Sequence, residues 1–260
     1  MRAKKSLGQH FLRSERALDS IIKAGDLRAS DIVLEIGPGK GVLTRKLLVG
    51  SCKVIAVEKD DFLCENLKKE FQEEIESGQL DLIHDDILNL KTSDLQTYKL
   101  IANIPYNITG AILEKFLSAE NQPEKMVLLV QKEVAERIVA RDNKESILSI
   151  SVKAYGEPRY VETVKAGSFA PMPGVDSAII AINNISKEFF NKFPEEHFFN
   201  TLHAGFKAKR KKLSSNLFAL YPKEKVLEAF QELGLDPNVR AEDINVQIWQ
   251  KILIYLMNGH

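Results

Sequence analysis

The stretch Ile32-Val33-Leu34-Glu35-Ile36-Gly37-Pro38-Gly39-Lys40-Gly41 decides the predicted fold. Its first five residues are mostly apolar and end at a glycine turn, which predicts a buried strand followed by a helix that continues through Leu47. Glycines at alternate positions let the backbone approach a ligand closely and turn tightly into a helix. The stretch therefore predicts the first strand and a ligand-binding turn of an α/β protein.

Short apolar runs alternate with amphipathic stretches over the next hundred residues, which predicts a parallel sheet covered by helices on both faces. The further strands of this part are predicted at Lys53–Val57, Leu80–Ile83, Leu100–Ala102 and Lys125–Val130, and its helices at about Asp60–Glu74, Ile108–Leu117 and Glu133–Ala140. Three later strands, without long helices between them, are predicted at Ile147–Tyr155, Tyr160–Lys165 and Ala178–Ile182. These later strands favour an antiparallel edge on the sheet.

The sequence pattern changes after Asn184. Prolines separate four helical patterns in the remaining chain. This pattern predicts a small all-α domain at residues 185–260, after a larger α/β domain at residues 1–184. The four helices are predicted at Glu195–Phe206, Lys209–Leu220, Lys223–Leu233 and Ala241–Leu256.

Composition excludes several classes of protein. The chain has 260 residues, 44% hydrophobic and 28% charged content and a net charge of +0, which suit a soluble protein of one large and one small domain. The apolar run Met126–Val130 is too short to span a membrane, and no secretion signal is evident. Cys52 and Cys64 suit a reducing cytoplasm. The five histidines are scattered, so no metal site is expected. No feature demands a dimer, so a monomer is expected.

The glycine turn differs in spacing from a dinucleotide fingerprint, because its third glycine comes one residue early. This spacing fits S-adenosylmethionine better than NAD. Glu58 ends the second strand, about 20 residues on, where a carboxylate is expected to bind both ribose hydroxyls. Asp86 follows the third strand and is the favoured acceptor for the adenine amine of the cofactor, with Asp85 as the alternative. No metal or covalent nucleophile is implied.

Asn103-Ile104-Pro105-Tyr106 follows a predicted strand. It has the form of a turn that holds an exocyclic amine of a nucleobase for methylation. The lone pair of adenine N6 is delocalised into the ring, so the amine is a poor nucleophile. Acceptors for both of its N–H groups draw the nitrogen toward a tetrahedral shape. The side-chain oxygen of Asn103 is one acceptor, and a main-chain carbonyl just before or at Pro105 is another. The ring of Tyr106 gives an extruded base a surface for stacking.

The chain resembles the ribosomal RNA adenine N6-dimethyltransferases, the KsgA family, over nearly its whole length. The resemblance implies a Rossmann-like class I methyltransferase sheet with S-adenosylmethionine as methyl donor. The similar motifs are Lys5–Leu12, Glu35–Gly41, Asn103–Ile108, Gln131–Val134, Phe169–Ser177 and Arg240–Asp243.

The resemblance also assigns residues. It places the cofactor contacts at His10, Leu12, Gly37, Glu58, Asp86 and Asn103, beside Gly39 of the turn. The family often has Asn where His10 stands. Phe169 is expected to pack against the flipped adenine opposite Tyr106. The implied reaction is four methyl transfers, two to each of two adjacent adenosines near the 3′ end of the small-subunit RNA. The implied partner is this RNA or the precursor of the small ribosomal subunit.

The densest basic run predicts where RNA binds, because a neutral chain needs a local positive surface to hold phosphates. This run consists of Lys207, Lys209, Arg210, Lys211 and Lys212, and we name it the basic segment. A solvated helix face is the alternative explanation of such a run.

Three other functions remain as alternatives. A macrolide-resistance methylase modifies a large-subunit adenosine with the same motifs, whereas the opening Ser6–Leu12 and the segment Arg240–Asp243 favour the small-subunit enzyme. A DNA adenine methylase fits less well, because no separate sequence-reading domain is evident. A ribosome-assembly factor or transcription factor of this fold, without methylation, is the alternative outside enzymes.

Overall fold

The computed structural model describes residues 9–50 and 52–257. The chain forms two compact units, of which the first runs through Ala135 and includes Glu157–Ile185, while the second comprises Glu136–Gly156 and the chain from Ser186 onward. The predicted domain boundary follows Asn184, one residue before the end of the first unit at Ile185. The second unit also takes in Glu136–Gly156, which the sequence places in the larger domain, because Ile150 and Ala154 pack in the core of the second unit.

Most strands of the first unit lie close to their predicted positions, and two short strands were not predicted. In chain order, they are β1 (Phe11–Leu12), β2 (Ile32–Ile36), β3 (Lys53–Glu58), β4 (Leu80–His84), β5 (Lys99–Asn103), β6 (Lys125–Gln131), β7 (Glu157–Val164), β8 (Phe169–Ala170) and β9 (Ser177–Asn183).

Helices occupy both units. In chain order, they are α1 (Glu15–Gly25), α2 (Val42–Val49), α3 (Asp61–Glu70), α4 (Gln72–Glu76), α5 (Thr109–Leu117), α6 (Lys132–Val139), α7 (Ile147–Lys153), α8 (Glu195–Phe206), α9 (Leu213–Leu217), α10 (Lys223–Glu232) and α11 (Val246–Met257).

The main sheet has seven strands in the order β4-β3-β2-β5-β6-β9-β7. The first five of these strands pair in parallel, and β9 pairs antiparallel with both β6 and β7. The predicted α/β class with a mostly parallel sheet and an antiparallel edge is therefore confirmed. The carboxyl ends of β2, β3, β4 and β5 meet at one edge, which is where ligands bind in open α/β sheets.

The prediction of a strand at Ile147–Tyr155 is wrong, because this segment forms helix α7. Ser146 caps the helix: its side chain accepts a hydrogen bond from the Ser149 N–H, and the Ser149 hydroxyl accepts one from the Ser146 N–H. This reciprocal cap satisfies two donors at the helix start. Packing of Ile150 in the core of the second unit further favours the helix over an alternating strand.

The second unit has its own hydrophobic core around Trp249, which is 1% exposed. The Trp249 ring stacks on Phe206 with centroids 5.8 Å apart. Helix α8 has the predicted bounds, whereas the predicted helix Lys209–Leu220 is reduced to α9. Within residues 186–257, the described part of this region, the regular elements are helices.

Candidate active site

The glycine turn after β2 is built on left-handed backbone conformations. Gly39 and Gly41 have φ values of 61° and 71°, which favour glycine over other residues. A Cβ atom on Gly39 would lie 3.1 Å from the Phe11 ring, and one on Gly41 would lie 2.4 Å from the Phe71 ring. Both positions therefore favour glycine for conformation, and Gly41 also needs it for space.

Glu58 ends β3 and is bonded directly to this turn. One carboxylate oxygen accepts a hydrogen bond from the Gly39 N–H at 3.0 Å, and the other accepts one from the Asp60 N–H at 2.8 Å. Glu58 is 5% exposed, and burial raises the pKa of its carboxyl group. The turn and the acid thus form one rigid unit at the edge of the sheet.

Asp86 has a partner on each of its carboxylate oxygens. Lys59 donates to Oδ2 at 2.7 Å, and the Leu88 N–H donates to Oδ1 at 3.0 Å. The hydrogen bond from Lys59, followed by that from Leu88, lowers the pKa of Asp86. Asp85 accepts hydrogen bonds from the Asp86 N–H and the Asn89 side chain on one oxygen. Both acids line the same cavity, so the choice of Asp86 as the adenine contact stays a prediction.

Asn103 ends β5, and its side-chain N–H donates a hydrogen bond to the main-chain carbonyl of His10 at 3.2 Å. The His10 Nδ1 atom lies 2.8 Å from the Pro171 carbonyl. Because a carbonyl only accepts, the hydrogen of this bond lies on Nδ1. The Pro105 carbonyl accepts a hydrogen bond from the Ile108 N–H at 3.2 Å.

Tyr106 is held from two sides. Its hydroxyl group lies 2.7 Å from the Ser177 hydroxyl, and its ring stacks on the His10 ring with centroids 5.8 Å apart and an angle of 22° between the planes. Burial raises the pKa of the Tyr106 phenol. The ring is therefore fixed in position next to Asn103.

Phe169 is placed differently from Tyr106. It is 4% exposed, packs in the hydrophobic core of the first unit and pairs with Leu12 between β8 and β1. Phe169 does not line the cavity that Tyr106 lines. Its function as a second stacking ring stays a prediction, without support from this placement.

A cavity of about 260 Å³ opens at the carboxyl edge of the sheet. It brings together most residues that the sequence analysis selected, from segments that are far apart in the chain. The selected residues that line it are His10, Leu12, Gly37, Gly39, Glu58, Asp86, Asn103, Pro105 and Tyr106.

Comparison with known proteins agrees with this arrangement. A family model described as ribosomal RNA adenine dimethylase matches residues 1–258. The chain belongs to the ribosomal RNA adenine dimethylase family. It is 41% identical to the ribosomal RNA small subunit methyltransferase A of Dehalococcoides mccartyi, over 98% of this chain and 88% of that protein. It is 37% identical to the protein of the same name from Nostoc sp., over 97% of each chain.

Two solved structures are similar to this adenine dimethylase family member over nearly its whole length. A dimethyladenosine transferase from Plasmodium falciparum matches with a TM-score of 0.81 and 28% identity, over 94% of this chain and 96% of that one. The 23S rRNA methyltransferase ErmE matches with a TM-score of 0.79 and 24% identity, over 95% of this chain and 100% of that one. The latter likeness concerns the fold alone. Both agree with a Rossmann-like methyltransferase sheet.

The cavity of this dimethylase has further charged residues for which the sequence analysis assigned no function. Glu35, Lys40 and Lys59 all line it. The Lys40 ammonium group lies over the Phe11 ring, 5.0 Å from the centroid. Glu35 is 1% exposed, and burial raises its pKa to about 8. An acid inside an otherwise apolar strand was the available signal for Glu35, because a carboxyl group is rarely buried without a function.

The basic segment of the dimethylase lies on the surface of the second unit, and all five of its cationic residues are exposed. The side chain of Asn216, which is 7% exposed, holds the preceding turn by hydrogen bonds. Its side-chain N–H groups donate to the Gly205 carbonyl at 2.6 Å and to the Ala208 carbonyl at 3.2 Å. The segment is therefore a turn with a defined backbone rather than a helix face.

Residues 9–50 and 52–257 contain neither a membrane-spanning helix nor a metal-binding cluster. No helix in these ranges has the length and apolar character needed to cross a membrane. In the same ranges, no group of three or more His, Cys, Asp or Glu side chains is arranged to hold a metal ion.

Proposed function

We propose that this protein transfers methyl groups from S-adenosylmethionine to N6 of two adjacent adenosines near the 3′ end of small-subunit ribosomal RNA, forming N6,N6-dimethyladenosines. The observation that carries the proposal is the placement of Asn103 and Tyr106 at the cavity that Gly37 and Glu58 also line. Membership of the adenine dimethylase family and the small-subunit relatives support the choice of substrate.

The residues of the cavity fit the cofactor. Glu58 offers two carboxylate oxygens to ribose hydroxyls, Asp86 offers an anionic acceptor to the adenine amine, and Gly39 keeps the turn free of a side chain beside Phe11. His10, Leu12, Gly37 and Asn103 complete the proposed cofactor contacts. When bound, the cofactor supplies a methyl group on a sulfonium, which is already a good leaving group. The main demand on the protein is therefore alignment of donor and acceptor.

Asn103 is oriented for its proposed function by its bond to His10. Since the amide N–H points to the His10 carbonyl, the Asn103 Oδ1 atom is directed away from that carbonyl and can accept a hydrogen bond from adenine N6. The Pro105 carbonyl already accepts a bond from Ile108, which favours the Ile104 carbonyl as the second acceptor. Tyr106 provides the stacking surface.

The basic segment is the proposed contact for RNA phosphates. Its five cations are exposed together on a turn that Asn216 holds. We further propose that the protein binds the precursor of the small subunit, functions in its assembly and acts in the cytoplasm as a monomer.

Mass spectrometry of purified ribosomal RNA tests the proposal. Small-subunit and large-subunit RNA, each lacking its adenine methylation, are incubated separately with the protein and labelled S-adenosylmethionine. We expect two adjacent dimethyladenosines near the 3′ end of the small-subunit RNA and no label in the large-subunit RNA. Label in the large-subunit RNA alone would identify a macrolide-resistance type of methylase. RNA binding without label in either would identify an assembly factor without this activity.

A further inference from the structure

Glu35 shares one face of the sheet with two residues of the proposed function. It lies opposite Ala56 of β3 and Ile101 of β5 in the parallel register. Glu58 and Asn103 follow those partners by two residues. Because side chains at every second residue of a strand leave the sheet on the same face, Glu35, Glu58 and Asn103 all face the cavity side. Glu35 also lines that cavity, but lies further from the carboxyl edge of the sheet than Glu58 and Asn103.

The order of the strands determines which part of a methyl donor lies near Glu35, and this step rests on the proposed function. Along the edge, β4, β3, β2 and β5 are neighbours in this order. Adenine is assigned to Asp86 after β4, ribose to Glu58 at the end of β3, and the acceptor nitrogen to Asn103 at the end of β5. The sulfonium and the amino acid part of the donor must then cross the end of β2, which is the strand that carries Glu35.

The carboxyl group of Glu35 lacks the partners that a buried charge needs. Within the described part of the chain, its Oε2 atom has no hydrogen-bond partner, and neither has the buried hydroxyl of Thr44 on α2. Burial, together with the negative charge of Glu58, raises the pKa of Glu35 to about 8, against a smaller lowering effect of the adjacent Thr44. An unpaired buried carboxylate is costly, so the protonated form is favoured in the free protein.

The cations near Glu35 are engaged with other groups. From the glycine turn, Lys40 lies over the Phe11 ring, and after β3, Lys59 is paired with Asp86. On α2, Arg45 is paired with Glu70, and Lys46 is paired with two acids of α1, Glu15 and Asp19. On β5 the residue opposite Glu35 is the apolar Ile101, and the neutral Asn103 and His10 line the same cavity. The charge that acts on Glu35 is therefore that of Glu58.

We propose that Glu35 is the charge-compensating group for the methyl donor: its carboxyl group is protonated in the free protein and releases the proton to solvent when the cationic donor binds. The O–H bond of the carboxyl group breaks, the proton passes to the buffer, and the carboxylate remains opposite the positive donor. The demethylated product lacks the sulfonium charge. Glu35 therefore favours the donor over the product, which assists exchange of product for donor between successive transfers.

Titration calorimetry tests the proposal by a readout other than activity. S-adenosylmethionine is titrated into the protein at pH 7 in two buffers of different ionisation enthalpy, and the difference in heat gives the number of protons released. A group with a pKa of about 8 is about 0.9 protonated at pH 7, so we expect a release approaching this value. The release should fall toward zero at pH 9. S-adenosylhomocysteine, which lacks the sulfonium, should release clearly less.

When the variant Glu35→Gln binds the donor, the only protons released should come from the ligand amine. The variant therefore gives the contribution of that amine directly. It should also bind the donor at least about tenfold more weakly at pH 8, because a release approaching about 0.9 at pH 7 requires the pKa to fall by about two units on binding, and each unit corresponds to at most about tenfold in affinity. Glu73→Gln, which removes an exposed acid of α4, is the matched control and should retain the proton release of the unchanged protein.

Equal proton release by Glu35→Gln and the unchanged protein would overturn the proposal. Should this variant not fold, the unchanged protein decides: the same release with donor and product, or none with the donor, would overturn it as well. Methylation of small-subunit RNA without proton release would contradict only the function of Glu35. Donor binding with proton release but without methylation of either RNA would contradict only the proposed function.

Discussion

The side-chain amide of Asn103 donates a hydrogen bond to the main-chain carbonyl of His10, with 3.2 Å between the nitrogen and the oxygen. This bond joins the end of β5 to the segment that precedes β1. It uses one of the two N–H groups of the amide and fixes which way the amide faces. The same His10 carries the ring that stacks on Tyr106. The orientation of the turn that begins at Asn103 therefore depends on a segment that lies more than ninety residues earlier in the chain.

Replacing Asn103 by Ala should abolish methylation while the cofactor still binds. The variant loses the proposed acceptor for the adenine amine, and loss of one preorganised polar group in an active site costs about 100-fold to 1000-fold in rate. Methyl transfer to small-subunit RNA and calorimetric binding of S-adenosylhomocysteine would be measured side by side. Asn103→Asp keeps an oxygen but has no N–H for His10, and it should also be slow. Full activity of Asn103→Ala would remove Asn103 from the mechanism.

Tyr106→Ala and Tyr106→Phe should differ sharply. Stacking of a base on an aromatic ring contributes about 1–3 kcal/mol, so loss of the ring should lower kcat/KM for RNA by roughly 5-fold to 150-fold. Tyr106→Phe keeps the ring and loses the bond to Ser177, which should cost only a few-fold. Steady-state kinetics with small-subunit RNA measures both variants. Equal losses in the two would show that the hydroxyl group, rather than the ring, carries the function.

The cavity could be anticipated from the sequence because its parts lie at strand ends. Gly37, Glu58 and Asn103 each follow an apolar run, and the carboxyl ends of parallel strands meet at one edge. Chain order therefore sufficed to bring these three residues together. The structure places all three around one cavity.

The pairing of β1 with β8 could not be anticipated in the same way. Each strand has two residues, and Phe11 pairs with Ala170 over a long separation in the chain, so no local periodicity marks either strand. The burial of Phe169 follows from this pairing. Helix α7 was missed for another reason: its cap uses Ser149 where a Glu or Gln is the usual signal.

Neutralising Lys209, Arg210 and Lys211 together should weaken RNA binding and reduce its salt dependence, with cofactor binding unchanged. Each phosphate contact contributes about 0.7 to 0.9 to the slope of log affinity against log salt, so three lost contacts should lower the slope by about 2 to 3. Filter binding of a small-subunit RNA fragment at several salt concentrations gives this slope. Lys23, Lys53 and Lys69 are exposed on the first unit, and their joint neutralisation is the control. An unchanged slope in the first variant would refute the placement of the RNA site.

Gly205→Ala should destabilise the second unit. A Cβ atom at this position of α8 would lie 2.3 Å from the Trp249 ring and 2.9 Å from the Leu213 side chain. Such overpacking of a core costs about 1–3 kcal/mol. The midpoint of urea unfolding, followed by Trp249 fluorescence, should fall accordingly. Gly110→Ala in α5 meets no atom within 4 Å, so its midpoint should change little. Equal midpoints for the two variants would contradict the tight contact between α8 and α11.

Glu35→Gln should alter how the stability of the free protein depends on pH. The pKa of Glu35 rises from 4.5 to about 8 because the carboxyl group is buried and Glu58 lies nearby. Between these two values the folded protein holds a proton that the unfolded chain has lost, so its free energy of unfolding falls as pH rises from about 4.5 to 8. The contribution of Glu35 is complete below pH 4.5 and is lost above pH 8, with a size on the order of a few kcal/mol.

Glu35→Gln carries no ionisable group at this position, so its stability should not show this decline. Urea unfolding at pH 5, 7 and 9 measures the difference, with Glu73→Gln as control. A decline of equal slope in Glu35→Gln and the unchanged protein would show that another group is responsible.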